Sequence, residues 1–250
     1  MRPLFIKNIK HFSTLESTNI EAENWVLKSK PAGGSAVLAD FQAMGRGMGD
    51  NLWESEAKMN LLASIILYPV FLDAADQFML NKIIALSVKD CVRKFTGSPD
   101  VFIKWPNDIY VGKLKISGIL SRNAISGNNI IHTIAGIGLN VNQTKFPPKI
   151  PNPVSIKMIT GKDFTIREIL NELLLNLEGY YEKLKNGNVS EINKNYLDVL
   201  FNYNRSAKYS SEGEIFEGII TGVTPFGHLI LQINEGFKEF DLKEIQYLFE

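Results

Sequence analysis

Residues 101–120 read VFIKWPNDIYVGKLKISGIL. Val101 to Trp105, Ile109 to Val111 and Lys115 to Ser121 each have strand character and are too short for stable helices. Pro106-Asn107-Asp108 and Gly112-Lys113 separate them, and both groups carry turn chemistry. Pro106 biases Trp105 toward extended backbone and leaves Asn107 and Asp108 in the turn. The stretch therefore predicts three successive strands joined by tight turns.

Working outward, Asn60 to Tyr68 is a mostly apolar strand and Ser35 to Phe41 alternates like one. Asp73 to Phe95 is predicted helical, because Leu80, Ile83, Ile84, Val88, Cys91, Val92 and Phe95 recur at helix spacing. Ser17 to Lys28 reads as a helix, with Thr18 and Glu21 at capping-box spacing and Pro31 beyond the end. Downstream, Ser126 to Asn129 is a hairpin turn into a strand over Ile130 to Val141, followed by a proline-rich loop from Pro147 to Pro153. Helices are expected over Thr165 to Lys185 and Glu191 to Phe201. After Arg205, short strands punctuated by Glu212-Gly213, Pro225-Phe226-Gly227 and Asn234-Glu235-Gly236 read as a small antiparallel barrel. The expected fold is α+β, a mixed-sheet domain over residues 1–204 with a small barrel over 205–250.

Composition narrows the function. Lys and Arg together number 27, matching the 27 Asp and Glu, so nothing in the charge balance favours binding to nucleic acid. The single cysteine, Cys91, rules out an intramolecular disulfide framework and suits a reducing compartment. No run reaches the ~18 apolar residues of a membrane span, and the amino terminus lacks the apolar run of a signal peptide. A cytoplasmic protein with no membrane attachment is expected. The histidines, His11, His132 and His228, lack metal-ligand spacing, and Cys91 falls on the apolar face of a helix.

Four segments carry residues suited to a ligand, three of them to an anionic one. In Gln42-Ala43-Met44-Gly45-Arg46-Gly47-Met48-Gly49-Asp50-Asn51-Leu52-Trp53, the glycines allow close backbone approach, and Arg46 offers a forked cation for phosphate or carboxylate. A surface turn with a solvated arginine fits the same composition. In Lys104-Trp105-Pro106-Asn107-Asp108, Lys104 can neutralise phosphate and Asp108 can hold Mg²⁺, with Asn107 in support, although an Asn-Asp turn needs no function. Lys115 sits among apolar Leu114, Ile116 and Ile119, as a phosphate ligand or as an edge-strand lysine. Gly118, and Gly136 and Gly138 at a spacing of two, leave a strand face bare for a flat ligand or for packing. A fifth segment, Ser17-Thr18-Asn19, is either a helix cap or a ligand site at a helix start.

Taken in order, Ser17-Thr18-Asn19, Gly45-Arg46-Gly47, Lys104-Trp105-Pro106-Asn107-Asp108, Lys115, Gly118 and Gly136-Ile137-Gly138-Leu139-Asn140 resemble the catalytic domain of the biotin–protein ligases. The small unit after residue 205 extends the resemblance, which implies an SH3-like barrel there. Met48 stands where relatives often have Arg or Gln, and Asp50 where they tend to have Gly. Both departures remove positive charge or backbone freedom beside the phosphates. The helix-turn-helix module of some relatives is not expected, since the first motif begins at Ser17.

The resemblance implies that biotin and ATP react to biotinyl-5'-adenylate and pyrophosphate, and that biotin then passes to a lysine of a biotin carboxyl carrier protein. It implies Ser17, Thr18, Asn19, Gln42, Arg46, Gly47, Lys115, Gly118, Gly136 and Gly138 around biotin. Gly45, Arg46, Gly47, Trp53, Lys104, Asn107, Lys115 and Asn140 would surround the nucleotide, and Asp108 the Mg²⁺. Arg46, Lys115 and Asp108 are the expected catalytic residues. A lipoate or octanoate ligase shares the fold, but its Arg-Arg…Gly-Gly-Gly…His-Asp pattern is absent here. A non-catalytic biotin binder would have no use for phosphate cations. Monomer and homodimer both remain open.

Overall fold

The structure is a computed structural model that describes residues 8–49, 51–234 and 236–248. In chain order the elements are β1 (Ile9–Phe12), α1 (Thr18–Ser29), β2 (Ala36–Ala39), β3 (Asn60–Leu67), α2 (Phe78–Thr96), β4 (Val101–Lys104), β5 (Asp108–Val111), β6 (Leu114–Ser126) and β7 (Asn129–Asn140). There follow α3 (Ile156–Thr160), α4 (Ile166–Lys185), α5 (Val189–Asp198), β8 (Ser206–Ser211), β9 (Glu214–Val223), β10 (Leu229–Ile233), β11 (Gly236–Phe240) and β12 (Gln246–Tyr247). The three strands expected in the 101–120 stretch are β4, β5 and β6, paired antiparallel in succession.

Seven strands form one sheet in the order β1-β2-β3-β7-β6-β5-β4. Among the described pairs only β1 and β2 run parallel, so the sheet is mixed, as expected. Its two faces are covered differently. Leu61, Ala63, Ile65 and Leu67 of β3 join Ile119, Ile137 and Leu139 under α2, α4 and α5. Alternation sends Ile66 and Ile134 to the other face, where Ala22 of α1 and Val37 meet them. Helix α1 covers one end of that second face, and the open remainder is the site.

The second sheet is wholly antiparallel, in the order β11-β10-β9-β8-β12. This is the small barrel-like unit expected at the carboxyl end. It is fastened to the main sheet by Trp105, whose buried indole Nε1 donates to the Gly227 carbonyl at 2.9 Å. Gly227 has φ of +100°, and a methyl there would come within 2.4 Å of the Phe78 ring, so no other residue fits this joint. The Trp105-Pro106 peptide is cis.

Several local expectations need correction. No capping box forms at Thr18 and Glu21: Ser17 is the N-cap, without a side-chain cap, because the Thr18 hydroxyl is used elsewhere. At α4, by contrast, the Thr165 hydroxyl does accept from the Glu168 N–H. The helix expected from Asp73 opens as a 3-10 turn, and only Phe78–Thr96 is α. The helix expected to reach Phe201 stops at Asp198, since residues 199–201 pair along β4 instead. β1 and α3, both short and without clear periodicity, add to the elements that the pattern predicts.

Candidate functional site

Strand register builds the floor of the site. Gly118 of β6 stands directly across from Gly138 of β7. Gly138 and Gly136 face Leu62 and Ser64 of β3. The walls are the start of α1, the 46–53 loop, the β4–β5 turn carrying Asn107, and the β5–β6 hairpin carrying Asp108 and Lys115.

The bare glycine face is filled by the protein's own side chains. A methyl on Gly138 would lie 2.4 Å from the Trp53 ring, and one on Gly118 would lie 3.0 Å from it. A methyl on Gly136 would lie 2.3 Å from the Asn19 amide. Trp53 therefore rests on the glycine pair with its Nε1 buried and without a hydrogen-bond partner among the described residues. Of the alternatives raised by the sequence, the structure has the packing one: the glycines admit Trp53 and Asn19, and those side chains line the pocket.

At the α1 end the polar groups form a fixed chain. Thr18 N–H and Oγ1 both donate to Gln42 Oε1, at 2.7 and 3.0 Å. The Ser64 hydroxyl lies 2.7 Å from Thr18 Oγ1 and 2.6 Å from Asn19 Oδ1, with one proton to share between them. Asn19 Nδ2 donates to the Leu120 carbonyl at 3.1 Å. All three side chains, Thr18, Asn19 and Ser64, are buried. Sequence reasoning missed Ser64. Its signal was present, as the one hydroxyl inside the otherwise apolar run Leu61 to Leu67.

The 45–53 loop is a small hairpin. Trp53 N–H donates to Gly45 O at 2.9 Å, and Gly47 N–H to Asn51 O at 2.7 Å. Gly45 is buried behind the pocket, where a methyl would sit 2.3 Å from the Trp53 carbonyl oxygen. Arg46, Gly47 and Met48 line the pocket, with the Arg46 residue itself exposed. Asp50 lies outside the described residues.

On the opposite wall, Lys115 Nζ is 2.7 Å from Asp108 Oδ1 and 5.9 Å from the Trp53 ring. Asn107 Nδ2 donates to the Ile119 carbonyl at 2.6 Å, and Ile119 N–H returns to Asn107 O at 2.9 Å. Asn107 thus braces the hairpin that presents Asp108 and Lys115.

Besides Gly45, two further expected nucleotide ligands lie off this pocket. Lys104 points to the barrel side, its ammonium 4.6 Å from the Tyr247 ring and 5.7 Å from Tyr110. Burial pulls its pKa below the usual lysine value; Asp108 opposes that shift and Lys115 adds to it. Lys104 therefore stays within electrostatic range of the pair without lining the pocket. Asn140 is buried and donates to the Val154 carbonyl at 3.0 Å. It borders an adjoining cleft under the proline-rich loop, shared with the pocket through Trp53 and Lys115.

The pocket thus joins hydroxyl and amide groups at one end to cations at the other, over a strand floor. The family described as biotin/lipoate A/B protein ligase matches residues 12–140, just over half of the chain. The chain belongs to that family. A bifunctional ligase/repressor of Bacillus subtilis is 26% identical over 244 residues, covering 96% of this chain and 74% of that protein. A biotin–[acetyl-CoA-carboxylase] ligase of Paracoccus denitrificans is 32% identical over 165 residues, covering 63% of this chain and 66% of its own length. A biotin protein ligase of Aquifex aeolicus, solved in complex with biotin and ATP, superposes with a TM-score of 0.80 at 27% identity, covering 97% of this chain and all of that one (100%). The correspondence includes the second sheet as well as the ligase domain.

Proposed function

We propose that this chain is an ATP-dependent biotin–protein ligase. It makes biotinyl-5'-adenylate with release of pyrophosphate, then passes the biotinyl group to a lysine of a carrier domain, with release of AMP. The observation that carries this reading is one pocket lined by Gln42, Thr18 and Asn19, with Ser64 joining Thr18 to Asn19 behind them, at one end and by Arg46 with the Lys115–Asp108 pair at the other.

Biotin's ring system is apolar with a polar ureido end. The hydroxyl and amide groups at the α1 end supply both donors and acceptors for it. The carboxylate then lies toward Arg46 and Lys115. In the first half-reaction a carboxylate oxygen attacks the α-phosphorus, the bond to the β-phosphate oxygen breaks, and pyrophosphate leaves. Both reactants are anions, so the chain's first contribution is to offset their repulsion and hold them in line. Lys115 is fixed by Asp108 on a hairpin braced by Asn107, which makes it a preorganised cation. Lys104 adds positive field from behind Asp108.

Among the described residues no three acidic, histidine or cysteine side chains gather as a metal cage. The donors fit Mg²⁺ that arrives on the nucleotide's phosphates, with Asp108 supplying one protein contact. When bound, it would spread phosphate charge.

In the second half-reaction the carrier lysine's amine attacks the acyl carbon and AMP leaves, taking the bonding pair. That amine must first lose a proton, and its ordinary pKa is ~10.4. Asp108 is the acceptor we propose. No described helix is long and apolar enough to cross a membrane, and a cytoplasmic setting suits the ATP requirement.

The deciding test is acid-dependent exchange of labelled pyrophosphate into ATP, with biotin, lipoate and octanoate in parallel. Exchange with biotin alone, followed by label transfer to a purified carrier domain, is the expected outcome. Exchange with lipoate or octanoate would overturn the substrate, and silence with all three in folded protein would favour a non-catalytic binder.

A further inference from the structure

We propose that Lys243, in the turn between β11 and β12, is a positioning residue that holds the 45–53 loop over the pocket; the loop's role as a cover for the adenylate rests on the ligase reading above. The observation is a close approach between the two sheets' loops. A methyl on Gly49 would fall 2.0 Å from Lys243 Nζ and 2.6 Å from its Cε, so the lysine's end lies directly on the glycine's α-carbon. Gly49 has φ of +64° at the loop tip. Without a side chain there, nothing keeps the ammonium off the backbone.

Lys243 is held in place by its own turn. Its φ is +70°, a left-handed value that a residue with a side chain adopts only when its surroundings impose it. The surroundings are visible. Leu242 N–H donates to Asp241 Oδ1 at 2.6 Å, Asp241 N–H to Glu244 Oε2 at 2.8 Å, and Glu244 N–H to Asp241 O at 3.2 Å. One oxygen of each carboxylate is used within the turn, Asp241 Oδ1 also lying 3.9 Å from His228 Nε2, and the turn so fixed aims the lysine outward at the loop. A second point of approach lies beside it, where Met48 and Leu242 border one groove between the two sheets. Loop backbone with few tertiary contacts opens at little free energy. A contact at the tip of this loop therefore sets how often the pocket is uncovered. The small barrel thereby acquires a defined role, holding the loop down on a reactive intermediate until the acceptor arrives.

The test compares the natural chain with Lys243→Gly, which keeps the turn's backbone geometry and removes the side chain, and with Lys243→Arg. Three quantities are read: release of preformed biotinyl-adenylate, cleavage after Arg46 by an arginine-specific protease without ligands, and biotin-dependent pyrophosphate exchange. Lys243→Gly should release the adenylate about fivefold faster and be cut after Arg46 about fivefold faster, with exchange held within about twofold. Lys243→Arg should restore both rates. Unchanged release and cleavage in Lys243→Gly, or failure of Arg to restore them, would overturn the proposal. So would collapse of exchange, since that marks a group acting on the reaction itself. If the natural chain shows no exchange, the ligase reading fails, and the cleavage rates alone still decide whether Lys243 holds the loop.

Discussion

Lys115 Nζ and Asp108 Oδ1 are 2.7 Å apart on neighbouring strands, joined across a hairpin rather than along one element. The pair gives opposite roles to its two members. In the proposed reaction Lys115 would face developing phosphate charge, while Asp108 would both fix it and accept the proton of the second step. Lys115→Ala should lower the rate of adenylation by ~10²–10³, the usual effect of losing one donor aimed at developing charge. Thermal stability should hardly change, because the pair is only partly buried and exposed pairs contribute little. Near-normal exchange by this variant would return Lys115 to the role of an edge-strand lysine.

For Asp108 the half-reactions separate two roles. Asp108→Asn, supplied with preformed biotinyl-adenylate and carrier domain, should transfer biotin markedly more slowly. The defect should shrink as pH rises and the carrier lysine loses its proton unaided. Full transfer near neutral pH would remove Asp108 as the proton acceptor.

Gly138→Ala should dislodge Trp53, since the added methyl falls 2.4 Å from the ring. Overpacking of this kind costs ~1–3 kcal/mol, and the displaced indole would obstruct the pocket. Calorimetric binding of biotin and thermal unfolding of Gly138→Ala, Trp53→Ala and the double variant form the check. The double variant should recover much of the stability lost in Gly138→Ala. Simple additivity would mean that the two residues do not meet.

Ser64→Ala leaves Thr18 and Asn19 without the hydroxyl that joins them. Leaving buried polar groups unpaired costs ~1–3 kcal/mol. Biotin affinity should fall while the affinity for ATP is kept, because Ser64 lies at the α1 end only. An equal loss for both ligands would argue against this division of the pocket.

Lys82 is a buried cation remote from the pocket, bonded to Asn193 Oδ1 at 2.8 Å. Burial lowers its pKa to about 8. Below that value the folded chain carries an ammonium that water solvates better in the unfolded chain. The penalty is complete below about pH 8 and fades as pH climbs toward the ordinary lysine value of ~10.4. Lys82→Met should therefore unfold a few degrees higher at neutral pH, with the gap narrowing as pH rises past the folded-state pKa. A gap that does not vary with pH would contradict the linkage.

Much of this was legible because the decisive residues fall in short local motifs. Gly118, Gly136 and Gly138 announce a bare strand face, and the turn at Asn107 announces the hairpin. What the pattern could not reveal is which side chain occupies that face, because Trp53 arrives from a loop more than sixty residues away in sequence. Local spacing makes Thr18 a helix cap, but its hydroxyl is taken by Gln42 and Ser64, contacts that exist only once three elements converge. The surroundings of Lys104 were hidden for a similar reason. Strand alternation gives its side chain a direction, and only the position of the second sheet, with Tyr247, reveals what lies that way. β1 escapes a sequence reading because four residues of mixed polarity carry almost no periodic signal.

The pairing of residues 199–201 along β4 bears on how the molecule meets its neighbours. Ile103 N–H donates to Val199 O at 2.9 Å, and Phe201 N–H donates to Ile103 O at 2.8 Å. The outward-facing hydrogen-bonding groups at the middle of that border strand are already spoken for by the segment that leads to the second sheet. A foreign β-strand seeking to lengthen the sheet there would first have to strip away the protein's own connecting chain. Growth of this sheet into ribbons or fibrils is thus blocked on the β4 flank by covalent continuity, with no need for the charged residues that guard open borders elsewhere.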